Sequence, residues 1–430
     1  MPNAGKLIIF FVLALFTAAF WIPVSLQGDF GLDDPSVFIG GLAYLSMSLG
    51  IFLSARPRFL EPAFGGLDKM YKVHKWLGVA AFILLLAHFA TAIGAENDLG
   101  DAPGLEELEE DDEDNDGLIG ALGLFSMIGF VILTILTLNR KFPYHRWLPT
   151  HRLMGLFYAL VSFHMWLVLS GGEVLPMTSP AGMILLVAMV VGLASFIYKQ
   201  VIYPLLHRHG YEIAEIRVLD RITELVLSPV ANAVQFRPGQ FAFVTVRAKG
   251  FKETHPFTIA SGAEESHLKV SVKVLGDFTR RLQNGLQPGT QVSIDGPYGC
   301  FNPTAVLGHQ VWIAGGIGVT PFLSALRSLP TDRSGSIRFY YCVRHLEDAV
   351  YLDELQQLAR QHPDIEIKPV VSGFGDRMSI DRLKEDLDHP LPDWNYFFCG
   401  PSGLGQSLFA KLREAGVSKA QLHREEFEMR

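Results

Sequence analysis

Six apolar stretches of about 19 to 22 residues fill most of the first 198 residues of the chain. None of them contains Asp, Glu, Lys or Arg, and each is close to the length that crosses about 30 Å of hydrocarbon as a helix. We therefore predict six transmembrane helices, over Leu7–Leu26, Ser36–Ser54, Trp76–Ala95, Leu118–Asn139, Leu153–Gly172 and Met177–Tyr198.

The first stretch could also be a signal peptide, because Lys6 precedes its apolar core. The apolar region of a typical signal peptide is shorter, about 7–15 residues, and a small-x-small cleavage site follows it. No clear site of that kind follows Leu26. We therefore interpret this stretch as the first membrane helix of a multi-pass protein.

The pattern changes after Tyr198. Short β-type runs broken by Gly and Pro turns predict a β-barrel up to about Asn302. From Gln310 the repeated order of strand, glycine loop and helix predicts an α/β domain with a parallel sheet. The predicted domains are a six-helix transmembrane domain over 1–205, a β-barrel over 206–305 and an α/β domain over 306–430.

Composition supports a membrane part joined to a soluble part. The mean hydropathy of +0.25 is high for a soluble protein, while 19% charged residues is high for a membrane bundle alone. The three cysteines, Cys300, Cys342 and Cys399, form no C-x-x-C pair. This argues against a disulfide framework, a cysteine zinc site or an iron–sulfur cluster, and it suits a reducing compartment.

Charge predicts the orientation in a cell membrane. The links 55–75 and 140–152 are basic, whereas the link 96–116 has twelve acidic residues and no basic one. Basic links stay on the cytoplasmic side. We therefore expect the N-terminus and the soluble half in the cytoplasm and the acidic link outside.

Four histidines lie in or beside two of the apolar stretches, His74 and His88 at the third and His151 and His164 at the fifth. These two helices are parallel, so the histidines pair at matching depths, about 20 Å apart at 1.5 Å rise per residue. A spacing of 14 residues returns to nearly the same helix face, but a spacing of 13 does not. We therefore expect an irregularity near His151, around Pro149 or Gly155.

Ionisable side chains at membrane depth usually have a partner. A lone histidine there is commonly a core residue bonded to a carbonyl, but two pairs at matching depth favour a bound group. Zinc or copper would need closer clustering of ligands, whereas haem needs one axial imidazole from each side. We predict one haem between His74 and His151 and a second between His88 and His164.

Ordered motifs in the second half resemble those of a known family. Arg237–Phe241 reads RPGQF, His255–Ser261 reads HPFTIAS, and Phe398–Pro401 reads FCGP. A glycine-rich loop over Ala314–Phe322 follows a strand; alone it could be a tight structural turn. In this order the motifs resemble the ferredoxin–NADP reductase superfamily. With the membrane half, the chain resembles the ferric reductase and NADPH oxidase family.

This resemblance implies an FAD site in the barrel and an NADPH site, with NADH as the alternative, in the α/β domain. The implied FAD contacts are Arg237, Gln240, His255, Pro256, Phe257, Thr258, Ser261, Lys273, Gly276, Phe278 and Thr279. The implied nucleotide contacts are Gly315, Gly316, Gly318, Thr320, Pro321, Arg344, Arg377, Cys399, Gly400 and Pro401.

The resemblance also implies three residues at the reacting atoms. Thr258 would lie beside the reactive flavin nitrogen, Cys399 near the carbon that gives up hydride, and Phe427 over the flavin. The chain departs from the family pattern by continuing for three residues past Phe427. Arg344 and Arg377 would favour NADPH by pairing with its 2′-phosphate, although either could be an ordinary surface arginine.

Together these features imply a transmembrane oxidoreductase that takes electrons from NADPH through FAD and two b-type haems to an acceptor outside. Dioxygen, giving superoxide, and ferric chelates are both candidate acceptors. The alternatives are an electron donor for an extracytoplasmic redox protein and a membrane receptor with a vestigial reductase domain. Nucleic acid is not an expected partner.

Asp112–Gly117 fits the first half of an EF-hand loop, but position 12 would be Gly123 in place of the closing Glu. A weak cation site and a solvated acidic loop are both open interpretations of this segment.

Overall fold

A computed structural model of the protein describes residues 4–27, 34–100, 113–139, 141–171, 175–251, 253–330 and 333–425. The chain forms two compact units, Met1–Leu205 and Leu206–Arg430. Most of the acidic segment, the side chains of the EF-hand-like sequence Asp112–Gly117, and Phe427 lie outside the described residues.

Helices build the first unit. In chain order they are α1 (Ala4–Gln27), α2 (Asp34–Ser54), α3 (Glu61–Phe64), α4 (Leu67–Gly100), α5 (Glu113–Leu138), α6 (Tyr144–Arg152), α7 (Met154–Gly171), α8 (Pro180–Ile197) and α9 (Tyr203–Leu206). A π-helical turn, Tyr198–Ile202, joins α8 to α9.

Six stretches of these helices are long and apolar enough to cross a membrane, which confirms the predicted bundle. They are Ala4–Leu26, Pro35–Ser54, Leu67–Ile93, Ile119–Leu138, Arg146–Gly171 and Pro180–Leu206. The third starts nine residues before the predicted Trp76, because the helix continues through lysines, which are good helix formers. His74 therefore lies inside a continuous helix.

The fifth span is interrupted at Leu153, between α6 and α7. Two short-range hydrogen bonds mark the change: Leu153 N donates to Thr150 O at 3.1 Å, and Leu156 N donates to Leu153 O at 2.9 Å. Pro149 lies inside α6 and lacks the N–H that a regular helix needs. The expected irregularity near His151 is confirmed, and it accounts for the 13-residue spacing.

Helix α2 is the most buried of the six spans: 61% of its apolar window is buried, against 11% in α1. It packs against both α4 and α7, the helices that carry His74, His88 and His164. Small residues permit this close approach to α4, since a methyl group added at Gly40 would lie 2.9 Å from His88 Nδ1.

The second unit begins with an antiparallel barrel of six strands. They are β1 (His209–Leu219), β2 (Ile222–Pro229), β3 (Phe241–Val246), β4 (Thr254–Thr258), β5 (Leu268–Lys273) and β6 (Gln291–Tyr298), in the order β4-β3-β6-β1-β2-β5. A bridge between Ile259 and Val270 joins the end of β4 to β5 and closes the barrel. Helix α10 (Asp277–Gly285) places Phe278 and Leu282 in its core.

Five parallel strands form the second sheet, in the order β11-β10-β7-β8-β9. They are β7 (Gln310–Gly315), β8 (Ile337–Val343), β9 (Ile365–Val371), β10 (Asn395–Cys399) and β11 (Leu422–Glu425), with helices α11 (Thr320–Arg327), α12 (Leu352–Ala359), α13 (Ile380–Asp386) and α14 (Ser402–Glu414). The carboxyl ends of parallel strands meet at one edge, where ligands bind in such folds. Gly315, Val343 and Cys399 therefore end at the same edge, as the predicted α/β domain requires.

Candidate functional site

His74 on α4 and His151 on α6 form the inner histidine pair. Their ring centroids are 6.1 Å apart, with ring planes 85° apart. His74 Nδ1 lies 2.8 Å from the carbonyl oxygen of Gly50, and His151 Nδ1 lies 3.3 Å from Thr137 Oγ1. The Trp147 ring stacks on His151 at 5.1 Å and 19°. Both imidazoles are thus held from outside the pair.

His88 on α4 and His164 on α7 are the histidines predicted for the second pair, which we call the outer pair because the charge pattern predicts it toward the outer side. His88 Nδ1 lies 2.9 Å from the carbonyl oxygen of Ser36 and 3.2 Å from its Oγ. His164 Nδ1 lies 3.1 Å from the carbonyl oxygen of Ile119. The structure therefore brings His74 and His151 together as a pair, and it fixes His88 and His164 each by a carbonyl of another helix.

Glycines make room for the two outer imidazoles. A methyl group added at Gly40 would lie 2.9 Å from His88 Nδ1, and one at Gly123 would lie 3.1 Å from His164 Cε1. Side chains at these positions would push the rings out of place. The Gly123 that breaks the EF-hand pattern therefore has a packing role beside His164.

The geometry of the His74–His151 pair would suit two imidazoles that hold one metal between them. A carbonyl oxygen only accepts, so Nδ1 of His74, His88 and His164 carries the proton and Nε2 keeps its lone pair for a metal. Two imidazoles that bind one metal from opposite sides have centroids about 6 Å apart, since each metal–nitrogen bond is about 2 Å and each ring adds about 1 Å. No third His, Cys, Asp or Glu joins either pair within the described chain, so other ligands would come from the porphyrin.

A buried polar cluster that the sequence reasoning missed joins α2 and α7. Tyr44 and Tyr158 stack at 5.5 Å and 10°, and both side chains are fully buried. Tyr44 Oη lies 2.9 Å from Ser162 Oγ, and Tyr158 Oη lies 2.8 Å from Ser48 Oγ. Along both helices the tyrosines fall between the positions that serve the two histidine pairs. The presence of two tyrosines and two serines in otherwise apolar segments was the sequence feature that could have indicated this cluster.

In the barrel, the turn before β3 is tied to the end of the candidate flavin strand β4. Gln240 Oε1 accepts from Arg237 N at 2.8 Å, its Nε2 donates to Gly299 O at 3.1 Å, and its carbonyl accepts from Ile259 N at 3.0 Å. Gly239 has φ +86°, and a methyl group there would lie 2.1 Å from Phe301 O. The motif residues around Gln240 thus fix the backbone beside β4.

Several implied flavin contacts also have structural partners. His255 Nε2 lies 3.1 Å from Glu253, and its ring packs 4.1 Å from the ring of Phe278, which is buried in the barrel core. Burial lowers the pKa of His255, and Glu253 opposes that shift. Thr279 Oγ1 accepts from Gly276 N at 3.1 Å, which caps α10. The structure leaves Pro256 and Phe257 half-buried on β4 and buries Thr258 at its end.

The glycine loop after β7 touches the C-G-P turn after β10. A methyl group at Gly318 would lie 2.2 Å from Cys399 O, and one at Gly400 would lie 2.9 Å from Gly315 N. Gly316 has φ +56°, and a methyl group there would lie 3.8 Å from the Nζ of Lys273 on β5. These glycines allow the two backbone loops to lie in direct contact, and we call this junction the cradle. Thr320 and Pro321 begin α11 directly behind it and are buried.

The Cys399 thiol lies inside this edge with no exposed surface. Burial raises its pKa well above the usual range, and Glu425 adds to the shift. The side chain therefore stays a neutral thiol that packs in the hydrophobic core behind the cradle, and it is not placed to act as a nucleophile.

Helix α11, which follows the glycine loop, is hydrogen bonded to the end of the HPFTIAS segment. The sequence did not predict these hydrogen bonds. Ser324 Oγ donates to Ser261 O at 2.7 Å, and an Arg327 guanidinium N–H donates to Ala260 O at 2.7 Å. Arg327 also pairs with Glu354 at 2.5 Å. The end of the HPFTIAS motif and the helix behind the glycine loop are therefore held together.

The two candidate phosphate-binding arginines lie on neighbouring loops. Arg344 follows β8, and its carbonyl accepts from Gly373 N at 2.8 Å. Arg377 follows Gly375, which has φ +87°. Both arginine side chains are exposed.

Comparison with known families matches the chain in three successive parts. Residues 39–162 match the ferric reductase like transmembrane component, residues 208–302 an FAD-binding domain, and residues 312–408 an oxidoreductase NAD-binding domain. This order agrees with the two units and with the motifs described above.

Among similar proteins is the reductase component of propane 2-monooxygenase from Rhodococcus jostii, 29% identical over 48% of this chain and 60% of that protein. Another is a superoxide-generating NADPH oxidase heavy chain of Dictyostelium discoideum, 26% identical over 41% of this chain and 45% of that protein. The match thus spans less than two thirds of each relative. A solved flavohemoglobin from Malassezia yamatoensis shares the fold at a TM-score of 0.50 and 18% identity, over 92% of this chain and 96% of that one.

Proposed function

We propose that this chain, which joins a ferric reductase-like transmembrane component to FAD-binding and NAD-binding domains, is a transmembrane oxidoreductase of the ferric reductase and NADPH oxidase family. It passes electrons from cytoplasmic NADPH, by way of FAD and two b-type haems, to an acceptor on the outer side. When bound, FAD converts a hydride into single electrons and haem passes them one at a time.

The residues of the chain bind and orient these groups. The glycine loop over Gly315–Gly318 and the turn Cys399–Pro401 take the nucleotide, with backbone N–H groups available to phosphate. The strand His255–Ser261 takes the flavin beside them, with Thr258 and Phe427 at its reacting part. Arg344 and Arg377 take the 2′-phosphate, which makes NADPH the preferred donor.

The observation that carries the proposal is the pairing of His74 with His151, whose ring centroids are 6.1 Å apart, together with the Nδ1 hydrogen bonds of three of the four histidines. His74, His88 and His164 each have Nδ1 within 2.8–3.1 Å of a backbone carbonyl. This fixes the tautomer that leaves Nε2 for a metal, as is usual for histidine ligands. A carbonyl bond alone would also suit a histidine that only packs in the bundle. It is the pairing, together with the matching depths of the four histidines in the sequence, that favours a bound group.

The charge pattern supports the direction of transfer. The basic links 55–75 and 140–152 favour the cytoplasmic side. The inner pair then lies toward the NADPH side, and the outer pair lies toward the acidic link 96–116. This link would concentrate cations near the outer pair, which favours ferric complexes or a basic redox protein as acceptor beside dioxygen.

Haem content and reduction of the purified protein in lipid nanodiscs test this function. We expect two haems per chain, a bis-histidine low-spin spectrum, and reduction of both haems by NADPH. His164→Ala should remove one haem and transfer to external acceptors while flavin reduction persists. His145→Ala is the control, since His145 has no partner at the spacing of the other four. External reduction at the original rate in His164→Ala would overturn the proposal.

The acceptor is identified on the same preparation. Superoxide formation, measured with and without superoxide dismutase, is compared with ferric-chelate reduction. A high rate in one assay identifies dioxygen or ferric chelate. Slow rates in both, together with complete haem reduction, favour a protein acceptor.

A further inference from the structure

His151 differs from the other three histidines in what holds its Nδ1. His74, His88 and His164 are bonded to backbone carbonyls at 2.8, 2.9 and 3.1 Å. His151 Nδ1 has a side-chain hydroxyl as its partner, Thr137 Oγ1 at 3.3 Å, the longest of these four contacts. One position of the four is therefore held by a group that a single substitution can remove.

The hydroxyl of Thr137 also behaves unlike others in the bundle. Thr17, Thr91 and Thr150 each donate to a carbonyl of their own helix three or four residues earlier, which is the usual bond of a helical threonine. The hydrogen bond that the structure gives Thr137 goes instead from α5 to α6. Thr137 is half-buried one residue before the end of α5, so its hydroxyl reaches His151 across the helix boundary.

A hydroxyl leaves the tautomer less constrained than a carbonyl does. A carbonyl only accepts, which forces the proton onto Nδ1, whereas a hydroxyl can donate or accept. In the metal-binding form of His151 the proton stays on Nδ1, and the Thr137 hydroxyl must accept a hydrogen bond from it. Such a bond also raises the basicity of the ligand and fixes the orientation of its ring.

We propose that Thr137 is a positioning residue of the inner histidine pair: its hydroxyl selects the metal-binding tautomer of His151 and makes the inner site the more adjustable of the two. This inference rests on the proposed haem site between His74 and His151. The Trp147 ring, stacked on His151, restricts ring rotation but offers this nitrogen no acceptor, so it does not replace the hydroxyl.

The test compares Thr137→Val, which keeps the shape and loses the hydroxyl, with Thr137→Ser, which keeps the hydroxyl. Ser36→Ala is the matched control at the outer pair. It removes a hydroxyl 3.2 Å from His88 but leaves the Ser36 carbonyl at 2.9 Å. The readouts on purified full-length protein are the rate of haem loss to apomyoglobin and the midpoint potentials of the two haems.

We expect Thr137→Val to weaken haem binding at the inner site by about 10–100-fold, as loss of such a partner typically does. Its potential should become more positive, since a less basic imidazole stabilises the oxidised iron less. Thr137→Ser should behave like the original protein, and Ser36→Ala should change the outer site little. If Thr137→Val does not accumulate as folded protein, the same comparison is made between Thr137→Ala and Thr137→Ser.

Unchanged haem loss and potential in folded Thr137→Val or Thr137→Ala would overturn the inference while leaving the proposed function intact. An equal effect of Ser36→Ala at the outer site would also overturn it, because the hydroxyl would then not distinguish the inner pair. An original protein that holds fewer than two haems would reject the proposed function itself.

Discussion

The first unit, Met1–Leu205, which we call the membrane unit, places four imidazole side chains where a cofactor would bind. In the second unit, Leu206–Arg430, which we call the soluble unit, the candidate nucleotide site at the edge of the parallel sheet is built mainly from backbone. At the histidine pairs, the side chains are the ligands and glycines such as Gly40 only make room. At the sheet edge, Gly315, Gly318 and Gly400 are the cradle, and the contacts are those of their own backbone. A histidine site would lose a ligand when a side chain is shortened. The glycine cradle would instead be distorted when a side chain is added.

The strongest test of this contrast adds one methyl group to the cradle. In Gly318→Ala the new carbon would lie 2.2 Å from Cys399 O, and backbone on both sides must shift. We expect flavin reduction by NADPH to slow by about 100-fold, the cost of a displacement near 1 Å at a reacting centre. Stopped-flow measurement of flavin absorbance checks this.

The matched control for that variant is Gly403→Ala on α14. A methyl group there meets no atom within 4 Å, so flavin reduction should keep its original rate. Haem content should be unchanged in both variants. If Gly318→Ala reduced flavin at the original rate, the backbone cradle would not be what holds the nucleotide.

A methyl group added in the membrane unit should act by displacing a candidate ligand, His88. In Gly40→Ala the methyl group would lie 2.9 Å from His88 Nδ1 and would displace the ring from its bond to Ser36. We expect haem affinity at the outer site to fall by about 10-fold, at the lower end of such losses, with the inner site unaffected. Haem transfer to apomyoglobin measures both sites. Gly78→Ala on α4, where a methyl group meets no atom within 4 Å, should leave both values unchanged.

Removal of atoms tests how the soluble unit holds its two domains together. Arg327→Ala leaves Ala260 O and Glu354 without their Arg327 hydrogen bonds. We expect the free energy of unfolding of this unit to fall by about 2 kcal/mol, measured by chemical denaturation. Arg281→Ala removes an exposed ion pair with Asp277 and a longer one with Glu253, and it should cost less than about 0.5 kcal/mol. Equal costs would show that the buried arginine is not a special anchor.

The smallest effect is expected at the tyrosine cluster. Tyr158→Phe removes a hydroxyl 2.8 Å from Ser48 Oγ and 3.3 Å from Tyr44 Oη. The membrane unit should lose about 1 kcal/mol of stability. In the double variant Tyr158→Phe with Ser48→Ala the hydrogen bond between the two hydroxyls is lost only once, so the two losses should not add. Full additivity in this cycle would mean that the two hydroxyls do not interact.

Local patterns in the sequence predicted the features that depend on residues close along the chain. The apolar stretches gave the six spans, and the 13-residue spacing of His151 and His164 gave the irregular helix. The ordered glycine motifs gave the loop and turn that meet at Gly318 and Cys399. In each case periodicity or spacing has a direct structural consequence.

The partners that hold the site were not predictable in this way. Thr137, Ser36 and Gly50 come from other helices than their histidines, and no periodicity states which helices will touch. Phe278 was expected at the flavin by resemblance, and the structure places its ring in the barrel core. The bonds from Ser324 to the flavin strand likewise join residues 63 positions apart.

The interruption at Leu153 has a mechanical consequence. A continuous helix is stiff, so a tilt or rotation at one end also moves the other end. Because the helix is interrupted at Leu153, His151 lies on α6 and His164 lies on α7. A small rotation of α6 would therefore displace His151 and its neighbour Trp147 more than His164. In the proposed electron path, such a rotation would adjust one end with less effect on the other.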